Sequence, residues 1–275
     1  MTMISPADGH VHSEWSWDAK QGAMEATCAR AVELGLPAIA FTEHVDFTPF
    51  RAGFLAETFG DLVTDGILNA PVLDVAGYQE TVAECREKFP ELRILTGMEV
   101  GQPHLHGAEI AGLLAQGTFE RVIGSLHCLL DGDAYAEPWE LYTHREAEDV
   151  FREYLLEIPR MVDGSDVFEV FTHIDYPIRS WPGGSDAFRP EDFEDELRHA
   201  LTALAVGERV LEINTRVPLH PTILKWWREV GGRRVTFGSD AHFPEALGLG
   251  LPAAAVLAES LGFGPDAKPE APWIG

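Results

Sequence analysis

The sequence predicts an α/β barrel built from seven strand and helix units. Short β-branched and aromatic runs alternate with helix-length amphipathic segments along the chain. The 275 residues are 45% apolar, enough to bury one large core. His and acidic residues recur just past the ends of the predicted strands, the rim where barrels of this class place their chemistry. One domain over 1–275, with a Pro- and Gly-bearing tail from about 263, is the expectation.

In chain order, the first strand spans 5–11 with Ile4 leading into it, and a helix over 19–34 follows, with Asp18 placed to cap it and Gly35 to end it. Pro37–Phe41 is the second strand. A loop from Val45 to Leu73 precedes a helix that Asp74 opens and that runs to Phe89. Leu92–Thr96 and Phe119–Ile123 are strands three and four. A loop rich in Gly, Asp and Pro covers 130–140, followed by a helix over 143–162, strand five over 167–172 and a helix over 190–206. Val210–Ile213 is strand six, Pro221–Val230 a short helix, Val235–Phe237 strand seven and Pro244–Leu261 the last helix.

Charge and cysteine content exclude several functions. With 20 basic residues against 45 acidic ones, net −25, there is no cationic surface for a long nucleic acid. Cys28, Cys85 and Cys128 are far apart and lack CxxC spacing, which predicts reduced thiols. No charged leader precedes an apolar stretch and no window approaches 18 uninterrupted apolar residues, so the expectation is a soluble, cytoplasmic protein without a membrane partner.

His10-Val11-His12 and, about 230 residues later, Asp240-Ala241-His242 share an i, i+2 spacing. On an extended strand, that spacing sends both side chains to one side and lets the pair chelate one ion. Thr42-Glu43-His44, Gly97-Met98-Glu99, Ser125-Leu126-His127 and Thr172-His173-Ile174-Asp175 follow strands two to five. A lone loop His is ordinarily just solvated. Six of seven strand exits bearing such residues is a different matter, because independent placement would scatter imidazoles over both rims and the helices.

On these motifs the sequence resembles the polymerase and histidinol phosphatase (PHP) superfamily over nearly its whole length. The resemblance implies a distorted (β/α)7 TIM-like barrel with a trinuclear metal centre. It also implies nine ligands: His10, His12, Asp18, His44, Glu99, His127, His173, Asp240 and His242, with Glu99 as the bridge. Nitrogen and oxygen donors without thiolate suit two or three Zn, Mn or Fe ions better than Mg or Ca. Three divalent ions against three carboxylates leave a local excess of three positive charges. That draws a phosphate into an acidic protein whose surface charge is screened beyond roughly 8 Å. The implied reaction is hydrolysis of a small phosphate ester by a metal-bridging hydroxide.

Within the superfamily, the histidinol-phosphatase branch is most similar, because Arg179 stands six residues after His173, where that branch contacts substrate phosphate. L-Histidinol phosphate is therefore the expected substrate, with a small or cyclic phosphodiester as the alternative. Leu211-Glu212-Ile213-Asn214-Thr215 resembles the branch's sixth strand and implies Asn214 at the substrate. Arg216 then stands where relatives continue with small residues, placed to replace their later Arg. Asp8, Glu43 and Asp175 sit beside ligand His as expected orienters, Asp175 also as proton donor to the leaving alkoxide. Trp15, Trp17, Trp139 and Trp181 are expected on exit loops, as pocket wall or core lid. His104 and His106 are read as loop residues, His144 and His199 as solvated. Neither Cys128 nor Ser125 has the setting of a nucleophile.

Overall fold

Strands buried on both faces read as near-continuous apolar runs, and seven such runs hydrogen-bond in parallel here. In the computed structural model, which describes residues 5–275, they are β1 (Asp8–Val11), β2 (Ala38–Asp46), β3 (Arg93–Gly101), β4 (Arg121–Ser125), β5 (Val170–Phe171), β6 (Val210–Asn214) and β7 (Arg234–Gly238), neighbours in that order. Ile4 lies outside the described residues. The ring closes just past β7, where Val11 bridges Ala241 in parallel. There His12 N donates to Ala241 O at 2.8 Å and Asp240 N to His10 O at 2.9 Å. At its other end β7 pairs instead with an antiparallel strand from the tail, β8 (Trp273–Ile274), so the Pro- and Gly-bearing tail supplies an edge strand.

Period-2 alternation sorts the core. Ile39 and Phe41 of β2 join the large cluster with helix residues such as Met24 and Ala31, whereas Ala38 and Ala40 pack with Leu95 in a separate small cluster. Ile123, Val170 and Val210 make another. Gly97 in β3 lies where strands crowd: a Cβ there would stand 2.8 Å from Arg121 O and 3.0 Å from Phe41 O. Gly97→Ala is expected to cost about 1–3 kcal/mol of stability, seen as a lower urea midpoint with unchanged slope.

The helices of eight residues or more are α1 (Met24–Leu34), α2 (Val75–Lys88), α3 (Gly107–Leu114), α4 (Ala147–Gly164), α5 (Glu194–Val206), α6 (Pro221–Glu229) and α7 (Leu251–Ser260), and single helical turns cover Ala56–Phe59 and Pro138–Leu141. Two predicted ends hold: Gly35 closes α1 with φ 66°, and Asp74 caps α2 by accepting from Gly77 N at 3.1 Å. Asp18 does not cap α1. The chain turns through 19–23 first, and the first amide of the helix, Met24 N, donates to Glu14 at 2.6 Å. Pro190 and Pro244 open separate 3-10 turns, so α5 and α7 begin later than predicted. Helix α3, eight residues with two glycines, was not foreseen.

The predicted loops over 45–73 and 130–140 are also more ordered than expected. β2 continues to Asp46. Beyond it, five strands of two or three residues form a second small sheet, in the order Val63–Thr64, Ile67–Leu68, Phe50–Arg51, Ala134–Ala136, Leu129–Asp131. Phe50, Phe59, Leu68 and Cys128 give it a core that stands beside the open rim of the ring. Among the described residues, no helix is long and apolar enough to cross a membrane.

Candidate metal centre and pocket

The strand exits deliver the predicted side chains to one place. His10 lies in β1 with His12 just past its end, and His44 and Glu99 lie within β2 and β3 as register partners rather than beyond them. His127, His173 and the pair Asp240 and His242 follow β4, β5 and β7, while Asp18 comes from the turn after β1. His173 and Asp240 hold positive φ, 28° and 55°, a strain of about 1–3 kcal/mol each that persists only where surroundings enforce it.

Glu99 is the centre, 1% exposed. Its Oε2 lies 3.0 Å from His10 Nε2 and 3.3 Å from His12 Nε2; its Oε1 lies 3.1 Å from His127 Nε2 and 2.8 Å from His173 Nε2. Asp240 Oδ1 is 3.7 and 3.4 Å from the Nε2 atoms of His10 and His12. Asp18 Oδ2 is 3.0 Å from His242 Nε2 and 3.4 Å from His44 Nε2. His44 Nδ1 lies 3.5 Å from Glu99 Oε2 and His242 Nδ1 3.5 Å from Asp240 Oδ1, so all nine expected ligands form one connected cluster.

The spacing fits metal ions. Two ligand atoms about 2.0–2.1 Å from one ion, at tetrahedral or octahedral angles, lie roughly 2.9–3.4 Å apart. The separations here span that range, and His10 Nε2 and His12 Nε2 face each other at 3.0 Å. A proton on one ring would make this an N–H···N hydrogen bond, and with both rings neutral the two lone pairs converge where a cation can sit. Three overlapping sets, His10 with His12 and Glu99, His44 with Glu99 and His127, and His12 with His44 and His242, have donor atoms within 4.8 Å of one another.

Most rings are held from behind. His10 Nδ1 meets Glu212 Oε2 and Thr172 Oγ1, each at 2.9 Å. His12 Nδ1 meets Ser16 Oγ at 2.9 Å, and Ser16 donates in turn to Glu43 at 2.5 Å. Asp46 lies 3.3 Å from His44 Nδ1 and 3.2 Å from His127 Nδ1, and His242 Nδ1–H donates to the Asp240 carbonyl at 2.9 Å. Glu43 thus supports His12 through a serine. Asp8 does not orient a ligand; it accepts from Ser239 N and Gly248 N and ties the closing seam together. Glu212 and Asp46 were missed. The available signal was an acid inside a buried strand, where an unpaired carboxylate would be costly.

Electrostatics prepares two of the rings to ligate. Burial, with His242 and His44 adding to it, pushes His12 down to about 4, and burial with Arg179 does the same for His173. Both are neutral at pH 7. Burial works against charge on Glu99 as well, yet His10, His44 and His127 hold its carboxyl well below the ordinary range.

The cluster floors a cavity of about 540 Å³. Arg179 reaches it, donating to Asp240 Oδ2 and lying 4.9 Å over the Tyr176 ring. Arg216 Nη1 approaches Asp240 Oδ1 at 3.6 Å. Asn214 does not line the cavity: its amide donates to Glu212 Oε1 at 2.8 Å and its oxygen accepts from Arg216 N at 3.0 Å. The expected substrate contact is thus a support for Glu212. Asp175 is buried and off the cavity wall too, its carboxyl pushed up to about 7 by burial against the opposing pull of the Arg179 guanidinium.

Trp17 and Trp139 wall the cavity, whereas Trp15 packs on the core beside Gly77 and Trp181 against Phe151, Phe188 and Phe193. His104 pairs with Glu157 and His106 with Thr48. Ser125 donates to Val100 O at 3.3 Å. Gln102, Glu137 and Tyr176 also line the cavity, and nothing in the local sequence marked them.

A parallel seven-stranded ring with an imidazole and carboxylate cluster at the strand exits defines the class. The chain belongs to the PHP domain family, whose profile matches residues 8–216, about three quarters of its length. The chain is 28% identical to a histidinol-phosphatase of Lactococcus lactis over 264 residues, covering 93% of this chain and 91% of that protein. It is 27% identical to a probable histidinol-phosphatase of Clostridium acetobutylicum over 268 residues, covering 94% of each. Its fold is similar to the crystal structure of the histidinol phosphate phosphatase from Lactococcus lactis complexed with zinc, L-histidinol and phosphate, with a TM-score of 0.79 at 27% identity, covering 94% of this chain and 95% of that one. A putative histidinol phosphatase from Listeria monocytogenes shares the fold, with a TM-score of 0.70 at 17% identity, covering 90% and 99%.

Proposed function

We propose that this protein is a metal-dependent phosphomonoesterase that hydrolyses L-histidinol phosphate to L-histidinol and phosphate. The observation that carries the reading is Glu99 dividing its two oxygens between two pairs of imidazoles, beneath a cavity that Arg179 enters. The similarity to the Lactococcus lactis protein, bound to zinc, L-histidinol and phosphate, names the substrate to test first.

By proximity, His10, His12, Glu99 and Asp240 would hold one ion, Glu99, His127 and His173 a second, and Asp18, His44 and His242 a third. Zn, Mn and Fe all suit this donor set. Bound there, such ions supply an acidified water as nucleophile and neutralise charge growing on the phosphoryl oxygens. Arg179 is anchored on Asp240 and stacked over Tyr176, so its planar fork is fixed before substrate arrives, and its remaining donors orient the phosphate. Arg216, half exposed at the same side, adds a second positive charge.

Protein loaded with Zn, Mn or Fe is expected to release phosphate from L-histidinol phosphate faster than from other monoesters and from bis(p-nitrophenyl) phosphate. No release from any phosphomonoester would refute the reading. Glu212→Gln should weaken metal affinity about 10–100-fold by loosening His10, read by chelator competition with the circular dichroism spectrum unchanged.

A further inference from the structure

One wall of the cavity carries polar groups that the metal cluster does not use. Glu137 receives both of its donors on one oxygen: Tyr176 O–H at 2.7 Å and Trp139 Nε1–H at 2.8 Å both reach Oε2, which leaves Oε1 without a donor among the described residues. Burial pushes this carboxyl above its ordinary range, so a cation beside it is favoured. Gln102 lines the same cavity at 2% exposure, with φ 46° in the left-handed region, and its Nε2 has no hydrogen-bond partner among the described residues. Cys128 lies by both residues and offers the amide only a weak acceptor. A buried donor left unmade is costly and a strained backbone adds to the cost, so the pair of features points to an absent ligand.

The position suits the organic half of a phosphate ester. Tyr176 connects the two ends of the cavity: its ring lies 5.0 and 4.9 Å from the rings of His127 and His173 and beneath Arg179, and its hydroxyl holds Glu137. Trp139 and Phe54, with ring centroids 4.1 Å apart, flank that wall with faces that attract cations.

We infer that Glu137 Oε1 and Gln102 Nε2 form a specificity subsite for a nitrogen-bearing alcohol. Glu137 takes the ammonium of an amino alcohol phosphate, and Gln102 donates to the lone pair of an uncharged ring nitrogen. A sugar or glycerol phosphate leaves the carboxylate unpaired and is disfavoured. This rests on the phosphatase reading above.

The test compares L-histidinol phosphate with p-nitrophenyl phosphate, which has neither an ammonium nor a basic ring nitrogen, using zinc-loaded protein of equal metal content. Glu137→Gln keeps an acceptor for Tyr176 and Trp139 but removes the charge. It should lower the ratio of the two kcat/KM values, L-histidinol phosphate over p-nitrophenyl phosphate, at least about tenfold. Gln102→Met should lower the ratio about 2–10-fold with a Tm no lower than wild type, because an unmatched buried donor is gone. A purely structural role gives the opposite pattern: equal losses on both esters, with a lower Tm. That pattern, or a ratio unchanged within a factor of two in Glu137→Gln, overturns the subsite alone. Wild-type protein inert toward both esters overturns the phosphatase reading and the subsite with it.

Discussion

Glu99→Gln is expected to lower kcat/KM for L-histidinol phosphate by about 10³-fold or more, on the order of 4 kcal/mol of transition-state stabilisation, and to reduce the number of ions bound per chain. The side chain keeps its shape, so the ring and its seam should stay intact. What changes is that one of two anionic oxygens becomes an amide, and an amide nitrogen cannot serve a cation. Since Oε2 faces His10 and His12 while Oε1 faces His127 and His173, whichever oxygen is lost strands one pair of imidazoles. Elemental analysis alongside phosphate release checks this. A full metal complement with activity within tenfold of wild type would contradict the assigned role.

Arg179→Ala is expected to cost about 10²–10³-fold in kcat/KM while leaving the metal content unchanged. Lys at the same position should recover little of the loss, because an ammonium is a point charge and cannot present a planar fork to a tetrahedral oxyanion. Guanidinium also stacks on Tyr176 in a way that Lys does not reproduce. Since Arg179 also neutralises Asp240, loss of metal in the Ala variant would show that the Arg serves the cluster instead of the substrate. Metal content and steady-state kinetics on the same preparation separate the two.

The seven strands and the gathering of imidazoles and carboxylates at one rim were legible because their signals are short-range and repeated. His10 with His12 and Asp240 with His242 depend only on the two-residue pleat, and each candidate follows or ends an apolar run that marks its own strand. The second sheet was not legible. Strands of two or three residues have no periodicity to read, and Phe50 pairs with Tyr135 across 85 positions. Asp18 illustrates competing local rules: an acid before a helical stretch reads as a cap, yet tertiary contacts with His44 and His242 decide its place. Asn214 shows the limit of carrying a role by motif, because it shares a face of β6 with Glu212 and its amide is used on that carboxylate. Gln102 and Glu137 carried no local signal at all; their importance comes from which of their atoms lack partners once the chain has folded.

Four of the six imidazoles in the cluster, those of His10, His12, His127 and His242, have a hydrogen-bond partner at Nδ1. With that atom tethered, a ring cannot flip, so the rotational freedom that ion capture would otherwise remove is already restricted by the protein itself. Those four rings therefore behave as a rigid frame: loading should leave amide exchange rates on β1 and β4 nearly unaltered. His44 and His173, whose Nδ1 atoms have no hydrogen-bond partner among the described residues, are the two rings at which the frame still adjusts to the ion it receives.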